Sequence, residues 1–401
     1  MAMAPGSRQS APRRTRRAFL RRMASLGAAC PFAVRCALGG ARGAESYIAR
    51  IEKLPRSQRL VEYPRLLARR SLPAGDRLEL VCAFAKHARF VSPLYGRSAV
   101  PIDLRTWVES LTEGWRADPQ DPNIRWTLAR ILINHARHDQ ALEVLAAFLK
   151  DKPDLRDRSL WDYRGWHAFA IGRTGQGPDP SKEVREFDVH LCVITRSPRA
   201  RRKATLAQLR REVDILNRHF VTLKGERIVH FRFSGASTHG QVKDLAPEFV
   251  ALGDSEAPFA HYRPQFARLF NESAHESIRD PHAINIFIYD NWSPEQRFAS
   301  STSHGVWNGN RPYLLLDWAR LGHARLAAEE HEMGHAFGIH DHVAVPGALS
   351  RTSTNIMSGI DDFGHVGRRD LGFTDAQRAT ILHWAKHTAE RLGRRQNAQE
   401  R

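Results

Sequence analysis

Apolar residues recur at helical spacing through the first half of the chain, as in Leu128, Ile131 and Leu132 and again in Leu142, Leu145 and Leu149. A period of three to four residues puts such side chains on one helix face, so 46–170 is expected to be helical. The run Gly172-Arg173-Thr174-Gly175-Gln176-Gly177-Pro178-Asp179-Pro180 interrupts this pattern with flexible glycines and helix-blocking prolines. It reads as a linker, bounded at 173–185. Beyond it the period changes. Residues 187–195 alternate as a strand, 205–223 carry helical periodicity, and 228–233 and 283–289 are rich in β-branched and aromatic residues. Residues 313–318 form a shorter strand, and 326–337 read as a helix stopped by Gly338. The order strand–helix–strand–strand–strand–helix predicts an α/β (α+β) domain with a mixed sheet over 186–395, preceded by an all-α domain over 45–172.

Within the helical half, 121–154 is a compact unit. Asp121-Pro122 opens it, Trp126, Leu128 and Ala129 fall in its first helix, Ala141 and Ala146 in its second, and Pro153 closes it. Its 34-residue length and these positions resemble one tetratricopeptide (TPR) unit, with helices around 104–115 and 159–171 as divergent neighbours. Repeats of this kind stack because no single helix pair buries its own apolar face. An ordinary helical bundle would give the same pattern, so both readings stay open. The TPR-like reading implies a protein partner for this half.

Composition changes the picture at the N-terminus. The formal charge is +18, and half of it rests on nine arginines in residues 1–44, a stretch without one acid. The remaining basic residues are scattered, with no aromatic-interleaved stripe, so nucleic acid is not an expected partner. Thr15-Arg16-Arg17-Ala18-Phe19-Leu20-Arg21 resembles the twin-arginine export signature. An apolar stretch over 23–34 follows, then small residues suited to cleavage around Ala41 or Ala44. Arg35 interrupts this signal, and a plain basic tail is the alternative. The resemblance implies an exported protein, periplasmic or secreted. The apolar stretch is too short for a stable membrane anchor. Of four cysteines, Cys30 and Cys36 lie in this segment, and Cys82 and Cys192 are expected as buried apolar side chains.

The chemistry concentrates in His331-Glu332-Met333-Gly334-His335-Ala336-Phe337-Gly338-Ile339-His340-Asp341. Histidines four apart on a helix project from one face, which lets both imidazoles reach one tetrahedral ion. Glu332, next to the first of them, is placed to act on a metal-bound water. Gly338 lets the chain leave the helix sharply, towards a third ligand within 339–342. The segment matches the metzincin signature His-Glu-x-x-His-x-x-Gly-x-x-His/Asp, and Asn355-Ile356-Met357-Ser358-Gly359 resembles the methionine turn of that family. Phe373-Thr374-Asp375-Ala376-Gln377 opens a C-terminal helix running to about Leu392, as the resemblance also requires.

The resemblance, nearest the snapalysin-like variety, implies a zinc-dependent endopeptidase acting on a protein or peptide substrate. It assigns His331, His335 and Asp341 to one catalytic zinc ion, with His340 or His342 as alternatives to Asp341. Glu332 becomes the general base, while Gly338 and Met357 give structural support. It also places Gly305 to Trp307 on an edge strand near the cleft, although a plain surface loop fits equally well. Asp361, Asp362 and His365 are equally readable as pocket or solvated loop. No cysteine-switch sequence and no acidic calcium loop are visible. The competing reading is an exported helical-repeat binding protein with a structural or inactive zinc site.

Overall fold

The computed structural model describes residues 41–69, 71–88, 104–150, 152, 160–194, 198–238, 279–289, 304–306, 312–322, 328–339, 355–357 and 372–399. Residues 1–40, with Cys30, Cys36 and the twin-arginine segment, lie outside the described residues. So do Pro153, Trp307, His340, Asp341, His342, Asp361, Asp362 and His365.

The first half is helical as the periodicity predicts. It comprises α1 (Ala41–Glu52), α2 (Arg56–Leu67), α3 (Ala74–Ala88), α4 (Leu104–Ala117), α5 (Pro122–Asn134), α6 (His138–Leu149) and α7 (Trp161–Arg173). Neighbours in sequence pack on one another, and Leu80, Leu111, Leu128, Leu132, Leu145 and Phe169 fill the space between them. Pro122 opens α5 at the first helical position, where its missing N–H costs nothing. The two candidate cleavage residues, Ala41 and Ala44, fall in the first turn of α1, where Ala44 is buried.

The stretch expected as a flexible linker is instead a folded turn. The Asp179 carboxylate accepts hydrogen bonds from the Ser181 amide (2.9 Å) and hydroxyl (2.6 Å), capping a short 3-10 turn over Pro180–Lys182. Gly172 lies so close to 178–180 that a side chain there would collide with them. Its glycines and prolines therefore build a tight reversal, not slack.

The second half is a five-stranded sheet, ordered β2-β1-β3-β5-β4. The strands are β1 (Arg185–Val193), β2 (Val229–Thr238), β3 (Ile284–Tyr289), β4 (His304–Val306) and β5 (Tyr313–Asp317). All neighbours are parallel except β4, which runs antiparallel along β5 at the edge. The mainly apolar runs of β3 and β5 follow from their central place, since strands covered on both faces bury nearly every side chain. The two polar exceptions, Asn285 and Asp317, are buried with hydrogen-bond partners in the backbone nearby. Between β1 and β2 come α8 (Pro198–Lys203) and α9 (Leu206–His219); the sequence pattern shows only the second, because six residues are too few to display a helical period. Thr205 caps α9, its hydroxyl accepting from the Gln208 amide at 3.2 Å. Cys192 is buried as expected, and burial pushes its thiol pKa up; Cys82 is only half-buried, and neither forms a disulfide.

Among the described residues this half also holds α10 (Ala328–Ala336) and α11 (Asp375–Gln399). Thr374 and Gln377 form a capping box. The Gln377 amide donates to the Thr374 hydroxyl at 3.3 Å, and the Thr374 amide donates to the Gln377 side-chain oxygen at 3.0 Å. Among the described residues no helix is long and apolar enough to cross a membrane.

The two halves share one continuous core. The first half of helix α11 lies against α7, and Gly165 brings the backbones together, since a Cβ there would sit 2.8 Å from the Ala379 carbonyl oxygen. His383 is largely buried in this seam. Desolvation, then the nearby His387, Arg164 and Lys386, push its pKa down to about 3. A histidine protonated in the unfolded chain below its ordinary 6.5 but neutral in the native one contributes stability above pH 6.5 that is lost as pH falls. At pH 5 the expected loss is about 2 kcal/mol. Urea midpoints at pH 7 and pH 5 should differ more in wild type than in His383→Gln; equal differences would refute this.

Candidate metal centre

The centre is built on α10. Glu329 and Glu330 occupy its first turn, where negative charge suits the helix dipole, and His331 and His335 follow one turn apart. The helix ends in a Schellman motif at Gly338. The Ile339 amide donates to the Gly334 carbonyl (3.1 Å) and the Gly338 amide to the His335 carbonyl (2.9 Å), with Gly338 at φ +87°. Phe337, fully buried, anchors the exit among Phe187, Phe220 and Phe231, with ring centroids 5.4 to 6.3 Å away.

This turn orients one imidazole, and the methionine turn orients the other. His335 Nδ1 donates to the Ile339 carbonyl at 2.5 Å, and His331 Nδ1 donates to the Ile356 carbonyl at 2.8 Å. A carbonyl oxygen can only accept, so each Nδ1 carries the proton and each Nε2 carries the lone pair. Those two Nε2 atoms are 3.2 Å apart. Two lone pairs that close repel unless a proton or a cation lies between them. Two nitrogens bound at about 2.05 Å to one tetrahedral ion would be separated by about 3.3 Å, so the pair fits a zinc ion. The third position of the predicted set, Asp341 with its alternatives His340 and His342, begins just beyond Ile339 and outside the described residues; among the described residues no third ligating side chain joins the pair.

Met357 packs directly beneath. A Cβ on Gly334 would lie 2.6 Å from Met357 Sδ and 3.1 Å from the Phe373 ring, so the small residue between the histidines admits the thioether. The turn around Met357 is held by Asn355, whose side-chain oxygen accepts from the Met357 amide at 2.8 Å. The Asn355 amide nitrogen donates to the Gln377 side-chain oxygen at 2.8 Å, and the Ile356 amide donates to the Gly372 carbonyl at 3.0 Å. Both Asn355 and Gln377 are buried, so this pairing ties the turn to α11.

Glu332 is buried on α10 beside His331. The neighbouring Glu329 and Glu330 are completely buried. Burial pushes both carboxyl pKa values up, reinforced for Glu329 by the Glu330 and Glu212 carboxyls. The edge strand β4, which carries Gly305, packs beside α10. Sequence reasoning placed Asn355 in the methionine turn and Gln377 at the start of a helix but missed their pairing, and it missed Trp384 and the two carbonyls that orient the imidazoles. The Thr374-x-x-Gln377 spacing is a local signal that would have marked Gln377 as a capping residue, but no local signal marks Trp384.

A tetratricopeptide repeat family model matches residues 108–162. No match to the chain was found among curated proteins or solved structures. The matched span takes in most of α4, all of α5 and α6, and the start of α7, so it reaches beyond the single unit at 121–154 into both flanking helices. The chain thus carries a TPR-like helical region joined to a mixed α/β unit that holds a converging histidine pair.

Proposed function

We propose that the chain is a zinc-dependent endopeptidase of the metzincin type. The observation that carries this reading is the His331 Nε2 to His335 Nε2 approach of 3.2 Å, with both Nδ1 protons committed to backbone carbonyls. His331, His335 and Asp341 would hold the metal, with His340 or His342 as alternatives to Asp341. A zinc ion there would lower the pKa of a bound water and polarise the scissile carbonyl. Glu332 takes the proton from the attacking water and passes it to the departing amine nitrogen. Met357 packs under the pair, and β4, the end strand of the sheet among the described residues, would give an extended peptide a strand to pair with.

A second reading is supported by the repeat match at 108–162. Helical repeats of this kind present surfaces to protein partners, and the chain would then be an exported binding protein with a structural or inactive zinc site. Metal analysis of the purified chain together with digestion of an unfolded protein substrate separates the two. The peptidase reading expects one zinc per chain, activity abolished by a chelator and restored by zinc, and loss of both zinc and activity in His335→Ala. A chain without zinc, or a zinc-loaded chain that cleaves nothing in a broad peptide library, would sink it.

A further inference from the structure

We propose that Trp384 is a positioning residue for the histidine pair, held in place by Trp161, and that the helical region is therefore a built-in support of the metal centre and not a detachable module. Its meaning for catalysis rests on the zinc reading above.

Helix α11 stands between the two halves and carries a distinct set of contacts towards each. Towards the helical region it presents Ala376, Thr380 and Trp384, spaced four apart on one face. The Ala376 amide donates to the Asn134 side-chain oxygen at 2.9 Å, and the Ala376 carbonyl accepts from Trp166 Nε1 at 2.9 Å. The Thr380 hydroxyl donates to Asp162 at 2.7 Å, and the Trp384 ring packs against Trp161, inclined at 56° with centroids 3.5 Å apart. Towards the metal centre the same helix presents Gln377 to Asn355 of the methionine turn, and Trp384 to Gly338.

Trp384 belongs to both sets. It is 2% exposed and Trp161 is 4% exposed, so neither ring has solvent into which it could relax. At Gly338 there is no slack, because even a single Cβ would strike the Trp384 ring. A close-packed interior of this kind passes on a displacement instead of absorbing it. The sequence of contacts runs from Trp161 to Trp384, to the Gly338 turn, to the Ile339 carbonyl, and so to His335 Nδ1. Groups that orient a metal-binding imidazole through its far nitrogen govern affinity by about 10- to 100-fold when disturbed. A detachable module would meet its neighbour through a more polar surface; this seam is buried and aromatic.

The test uses the full-length chain, with Trp161→Leu, Trp384→Leu and, should the latter fail to fold, Trp384→Phe. Leu80→Ala, in the core of α3, serves as a destabilised control within the same helical region. Two measurements are made: zinc affinity by competition with a chromophoric chelator, and deuterium exchange across 333–339 without metal. Both tryptophan substitutions should weaken zinc binding about tenfold and speed exchange at Gly338 and Ile339, while α6 stays protected. Leu80→Ala should do neither. Unchanged exchange at 338 and 339 would overturn the proposal, as would unchanged zinc affinity in a chain that does bind zinc. If wild type binds no zinc, the peptidase reading falls, and the exchange measurement alone still decides whether the helical region supports the turn.

Discussion

Replacing Glu332 by glutamine is expected to lower hydrolysis of a protein substrate by about a hundred- to ten-thousand-fold while leaving the zinc content at wild-type level. The side chain keeps its size and its place on α10, so the helix and the two imidazoles should be undisturbed. What it loses is the capacity to accept a proton, and at about 1.4 kcal/mol per tenfold the loss corresponds to about 3 to 5 kcal/mol of barrier. The contrast with His335→Ala is informative, because that variant should lose metal and activity together. Parallel measurement of zinc stoichiometry and initial rates distinguishes them. Full activity in a zinc-loaded Glu332→Gln protein would show that another group takes the proton.

Gly338→Ala should be among the most destabilising single-methyl additions in the described residues, at about 2 to 5 kcal/mol. Two costs add. At φ +87° a side chain strains the backbone by about 1 to 2 kcal/mol, and the new methyl collides with the buried Trp384 ring, an overpacking worth about 1 to 3 kcal/mol. Gly175 provides an internal comparison. It has φ +73°, but a Cβ there would meet nothing within 4 Å, so Gly175→Ala should show the backbone cost alone, about 1 kcal/mol. Urea denaturation of both variants isolates the contact with Trp384, and equal losses would mean that the ring yields freely. Pairing Gly338→Ala with Trp384→Leu should recover part of the difference, since the two residues share that contact.

Much of this architecture is legible along the chain because it rests on local rules. The helices of the first half follow from apolar spacing, and the strands 284–289 and 313–317 from short runs dominated by isoleucine, aromatic residues and leucine. The helix start at 373–377 and the exit turn at Gly338 are short-range patterns, and the structure forms them with a capping box at Thr374 and Gln377 and with the backbone hydrogen bonds of the turn. Glycine and proline near 172–180 are the misleading signal. Those residues suit a mobile tether and a tight turn equally, and only the approach of Gly172 to 178–180 distinguishes them.

By itself, then, the sequence determines that His331 and His335 share a helix face, that Glu332 stands beside them and that the chain turns sharply after Phe337. These are consequences of a 3.6-residue period and of glycine's freedom at positive φ. The tertiary structure alone decides which nitrogen of each imidazole points inward, because the carbonyls of Ile339 and Ile356 make that choice, and Ile356 is 25 residues distant along the chain. It alone decides that Asn355 meets Gln377, and that Trp384 lies between Trp161 and Gly338. No local pattern encodes such meetings. They arise where separate apolar faces bury one another, and the same burial that joins the helical region to α11 holds the histidine pair in register.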